Sequence, residues 1–208
     1  MVRSASLVIV MATIAFLAGC GATMRVAPEK QSAIDAVAIS DKVVVTDKPQ
    51  FISGVGRLFA PGIGGATGAM IDAAERDKDK QYVAFLKAAG IDVASIVKAA
   101  FEAQLREHLV YGSKLRANAT YRFELEVPFH ALVQKTSFTD YYRANVSLRI
   151  KLVGPSGEVL GEGRAQSCLF GDCVPQYKLD EIRSNPGLLK IQYEAAAKDA
   201  ARQVLEGL

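Results

Sequence analysis

Histidine and cysteine are scarce in this chain, and several kinds of chemistry go with them. There are two histidines, His108 and His130, and three cysteines, Cys20, Cys168 and Cys173. A hydrolytic histidine works beside a nucleophile and an orienting acid. No Gly-x-Ser-x-Gly is present, and Gly154-Pro155-Ser156-Gly157 has the composition of a turn. No His-Glu-x-x-His pair occurs, so the zinc-protease arrangement is excluded. Both histidines read as surface or helix-end residues. Glu124 and Glu126 share a strand face and read as part of a solvated sheet surface rather than an acid–base pair. A surplus of one charge is also missing. Lys and Arg number 25 against 22 Asp and Glu, with no basic stripe, which excludes a typical nucleic-acid binder. Glu75–Lys80 alternates in sign and reads as a solvated helix end or loop. No metal or cofactor motif remains, and the chain reads as non-enzymatic.

The N-terminus carries the strongest positive signal. Arg3 precedes the nearly all-apolar run Leu7–Phe16. About 7–15 apolar residues behind a basic start make a secretory segment, and are too few to span a bilayer. Leu17-Ala18-Gly19-Cys20 follows, and it resembles the bacterial lipobox. The resemblance implies cleavage after residue 19, with a diacylglycerol and an N-acyl chain on Cys20 as the only non-protein groups. Several acyl chains at about 0.8 kcal/mol per buried CH₂ anchor stably. Gly21 stands where an aspartate tends to retain enterobacterial lipoproteins at the inner membrane, so the resemblance favours the periplasmic face of the outer membrane.

Export also bears on the other two cysteines. With Cys20 taken by lipid, Cys168 and Cys173 remain in Cys-Leu-Phe-Gly-Asp-Cys. An oxidising periplasm and the turn-forming Gly171-Asp172 point to a disulfide between them. A thioredoxin-like site needs Cys-x-x-Cys, and a closed zinc site needs two further ligands.

The mature chain divides into an anchor and tether over residues 20–40 and one domain over 41–208. Val43, Val44 and Val45 mark a first strand. Residues 51–74 form an apolar segment with glycines at 54, 56, 62, 64, 65 and 68 and charge only at Arg57 and Asp72. Gly64 and Gly68 stand four apart, the spacing at which small residues let two backbones approach. The segment reads as a loop and short helix packed on the domain, or alternatively as a part that inserts in a membrane or self-associates. Leu58–Ile71 is uncharged but shorter than the roughly 20 residues of a span. Gly54 and Gly62 begin no complete nucleotide-binding motif, since Phe59 and Thr67 stand where a third glycine belongs.

Asp92 is positioned to cap an amphipathic helix with Val93, Ile96, Val97, Ala100, Phe101 and Leu105 on one face. Strict alternation over Tyr121–Phe129 and Asn145–Leu152 predicts two strands, with a third over Glu158–Ser167. Phe138, Tyr141 and Tyr142 fall in the first connection, where exposed aromatics would offer a membrane or partner contact. Asn185-Pro186 begins a last, alanine-rich helix with Leu189, Tyr193, Ala196, Ala200 and Val204 on one stripe. The expected fold is therefore α+β, an antiparallel meander of three to four strands with two main helices and the Gly-rich segment. In topology and lipobox this looks like the small domains of envelope accessory lipoproteins, such as penicillin-binding-protein activators and curli-secretion-type lipoproteins. That likeness implies a protein partner in the cell envelope and carries over no functional residue.

Overall fold

The alternating residues of 121–152 form the centre of a sheet, as a period of two requires. The computed structural model describes residues 23–53, 78–136, 139–167 and 172–208. Its elements run in the order α1 (Pro28–Ala33), β1 (Val37–Val45), β2 (Gln50–Ile52), α2 (78–88), α3 (Val93–Glu107), β3 (Tyr121–Gln134), β4 (Tyr141–Val153), β5 (Val159–Gln166), β6 (Tyr177–Lys178), α4 (Leu179–Ser184) and α5 (Gly187–Glu206). β3 and β4 are the long inner strands. β1 and β2 share the outer side of β3, and β5 and β6 share the outer side of β4.

The class is α+β, but the sheet is mixed. β3, β4 and β5 run antiparallel as expected, whereas β1 and β2 both pair with β3 in parallel. The physical reason is the connection. Parallel neighbours need a crossover, and α2 and α3 lie between β2 and β3 in the chain. β1 is also longer than its valine run suggests. Its register breaks between Ile39 and Val43, and in that break Asp41 meets Lys98 of α3 at 2.8 Å.

The expected tether over residues 20–40 is corrected from residue 24 onward. Met24 exchanges two backbone hydrogen bonds with Glu162 of β5, at 2.8 and 2.9 Å. Val26 and Ile34 are buried in the core. These residues belong to the fold because their apolar side chains join the hydrophobic core.

Helix boundaries follow local chemistry. The Asp92 carboxylate accepts from the N–H groups of Ala94 and Ser95, and Val93, Val97, Phe101 and Leu105 bury the helix face behind it. At α5 the Asn185 side chain accepts from Gly187 N–H at 3.2 Å, with Pro186 already in helical geometry. Leu189, Tyr193, Ala196, Ala197, Ala200, Ala201 and Val204 of α5 are all buried. The helix packs on α3, β4 and β5.

Gly163 of β5 permits that packing, and Gly161 admits the N-terminal segment beside it. A Cβ on Gly163 would lie 2.8 Å from Val204 Cγ2 and 3.3 Å from its carbonyl oxygen. On Gly161 it would lie 2.6 Å from Val26 Cγ2. Gly163→Val is accordingly expected to lift α5 from the sheet, at a cost of about 1–3 kcal/mol. The check is the urea midpoint by circular dichroism, which should fall well below that of the parent chain.

Candidate functional site

Pro128 decides which residues of β3 reach the helices. β3 spends three residue steps from Glu126 to Phe129 while β4 spends two from Arg149 to Ser147. This is a bulge, a position that tolerates proline's missing N–H. Phe123, Leu125 and Val127 are buried before it. After it the parity reverses, and His130 and Leu132 take the buried side. His130, expected at the surface, is only 4% exposed.

The reversal creates a buried polar chain. His130 Nδ1 lies 3.0 Å from the Tyr193 hydroxyl, which lies 2.7 Å from the Tyr82 hydroxyl. The Thr46 backbone stands beside the His130 ring and favours its charged form. One proton arrangement serves the three side chains. Tyr82 donates to Tyr193, and Tyr193 donates to His130 Nδ1. Burial lowers the His130 pKa to about 4, opposed by the Thr46 backbone. Burial also raises both tyrosines. The chain therefore holds neutral groups and joins α2, α5 and β3.

Tyr82 has a second side. Its ring helps to wall a cavity of about 680 Å³ between β2, α2, the ends of β3 and β4, and α4. Phe51 stacks on Tyr142 at 5.4 Å between centroids and tilts against Tyr82 at 6.2 Å. Phe85, Leu132, Leu179 and Ile182 complete the apolar wall, and Ser53, Lys78, Gln81 and Arg183 provide its polar lining. The Phe51 backbone N–H donates to Asp79 Oδ1 at 2.7 Å, which ties β2 to the first described turn of α2. Buried Gln192 donates to the carbonyls of Tyr142 and Pro175, at 2.8 and 3.0 Å, and so holds the start of β4 against α5. Burial raises the Tyr142 pKa, and the Asp140 charge adds to this. A concave apolar wall with a few polar groups is the usual form of a binding site.

The residues singled out from sequence fare differently. Tyr142 stands on β4 rather than in a loop and is buried in the cavity wall. Tyr141 is on the opposite face of β4, 42% exposed, with Lys178 Nζ 5.9 Å from its ring centre. Cys20, Gly64, Gly68, Phe138 and Cys168 lie outside the described residues. Cys173 lies just before β6, its Sγ 3.6 Å from Asp199 Oδ2 of α5. His108 is near the end of α3, stacked on Tyr111 at 5.3 Å. Glu124 pairs with Arg122, and Glu126 pairs with Arg149. Among the described residues no group of three or more His, Cys, Asp or Glu could hold a metal ion. Among them, too, no helix is long and apolar enough to cross a membrane. Sequence reasoning missed α2, whose Tyr82, Phe85 and Leu86 stand at helical spacing and were the available signal.

Compared with protein-family models and with curated proteins, the chain matches none.

Two measurements follow from this geometry. The unfolded chain takes up a proton on His130 near its ordinary pKa of about 6.5, and the folded chain only near 4. Stability is thus full above pH 6.5 and falls toward pH 4, by about 2–3 kcal/mol from this group. Urea midpoints at pH 7.5 and 4.5 should show the loss, and His130→Leu should remove most of that slope. Separately, the expected Cys168–Cys173 bridge predicts no free thiol in the unreduced, denatured chain lacking Cys20, and two after reduction. A thiol titration decides it.

Proposed function

We propose that this chain is a lipid-anchored cell-envelope protein that acts by binding, engaging a protein partner at the cavity-bearing end of its domain. The observation that carries this reading is the placement of the cavity relative to Met24. Cys20 precedes Met24 by four residues, at most about 14 Å of extended chain. Met24 is bonded to β5, and Thr23 Cγ2 lies 3.5 Å from the Cβ position of Gly207, just past the end of α5. From Val204 back to Tyr193 the helix rises about 16 Å. Tyr193 is bonded to Tyr82 in the cavity wall. An anchor at Cys20 therefore holds one end of α5 near the bilayer and carries the cavity at the other end, on the periplasmic side. A Cys168–Cys173 disulfide suits that oxidising compartment, and Gly21 favours the outer membrane.

The test uses intact cells. A photo-crosslinking residue at Arg183 or Lys78, in the lining of the cavity, should capture a reproducible envelope protein, while one at Val44 should not. Equal labelling from all three positions, or none, would sink the reading. Cys20→Ser should abolish palmitate labelling and release the chain from the membrane fraction. Retention of the label would remove the anchor from the proposal.

A further inference from the structure

We propose that the cavity between β2, α2 and α4 binds a single-chain amphiphile with an anionic head, its hydrocarbon chain inside and its head at the rim between Lys78 and Arg183. The proposal rests on the cavity being a recognition site but not on the protein partner, which cross-linking tests by itself.

The interior suits hydrocarbon. Its wall is made by Phe51, Tyr82, Phe85, Leu132, Tyr142 and Ile182. The Tyr82 hydroxyl is already committed to Tyr193 at 2.7 Å, so it asks for no polar ligand atom. The volume of about 680 Å³ lies in the range that encloses a small molecule. A single partner side chain would leave much of that wall without contacts, and atoms facing a void forfeit their dispersion attraction.

The rim suits an anion. Lys78 and Arg183 are the charged residues among those described as lining the cavity, and both are cations. Lys78 Nζ donates to Ser53 Oγ at 3.3 Å, a neutral partner. The adjacent Asp79 is engaged with the Phe51 N–H. Arg183 has Asp180 one helical turn away at 3.7 Å, with both side chains largely exposed. Such pairs are weak, so the guanidinium can turn to an incoming carboxylate or phosphate with a stronger, paired geometry. A cationic or zwitterionic head would lack this match.

Every described element lies beyond residue 22, so the chain from residue 21 onward is the form to use. Calorimetric titration with octanoate, decanoate and dodecanoate below their micelle concentrations should show affinity rising about fourfold per methylene, the value for full burial of each group. Dodecanol should bind at least about tenfold more weakly than dodecanoate. Lys78→Glu with Arg183→Glu should remove that preference while leaving dodecanol unchanged. Ile182→Trp should fill the cavity and abolish binding of both, with Phe85→Trp as the alternative if the first variant melts early. A folded chain that binds none of these ligands overturns the proposal. Affinity independent of chain length overturns it, as does equal affinity for acid and alcohol.

Discussion

α5 lies so close to β5 that a methyl group on Gly163 would stand 2.8 Å from Val204. That approach has two requirements, a small residue on the strand and alanines on the helix, and both are met by Gly163 and the run through Ala196, Ala197, Ala200 and Ala201. With the helix seated, the fully buried side chains at its other end have fixed positions. Gln192 then reaches the carbonyls of Tyr142 and Pro175, and Tyr193 reaches Tyr82 and His130. The cavity wall is thus referred to the sheet through one helix. A bonded group in a low-dielectric interior is stable, and the same group without its partner is costly. The polar chain therefore specifies a single position for α2.

The cavity draws its parts from segments distant in sequence, and each part is secured by a different interaction. β2 is short, yet its Phe51 N–H is bonded to Asp79 and its ring is held between Tyr82 and Tyr142. α4 is also short. The Lys178 N–H donates to Glu181 Oε2, and Ile182 is buried beneath it. Short elements have little intrinsic stability, so the packing around them supplies what their length does not. The outer face of the sheet has a separate character. There Arg149 lies between Glu126 and Glu162, at 3.4 and 2.6 Å, an ion-pair row across β3, β4 and β5.

Much of this was legible in the sequence wherever structure is local. The caps at Asp92 and Asn185, the stripes of α3 and α5, and the alternation of β3 and β4 are all written in neighbouring residues. Four features were not. The parallel pairing of β1 and β2 depends on which strands meet, and a period of two does not name a neighbour. His130 reads as a surface residue at a strand end, and extending the alternation past Pro128 would also give it the polar face, since a one-residue bulge reverses every assignment after it. Tyr142 looked like a loop residue because the pattern was begun at Asn145, although Ala144 and Tyr142 continue it. The cavity itself had no sequence signature, since Phe51, Tyr82 and Ile182 are each ordinary apolar residues until the fold assembles them.

The two hydrogen bonds between Met24 and Glu162 have a consequence for crowding. Proteins tethered to one membrane meet in two dimensions and in a shared orientation. Exposed strand edges are then presented at matching heights, the arrangement in which one sheet extends into the next. Met24 occupies the outer edge of β5 at its middle. With the chain held at Cys20 as proposed, the residues that lead to the lipid also shield that edge, so the density of copies on a membrane can rise without offering β5 as a template for another chain.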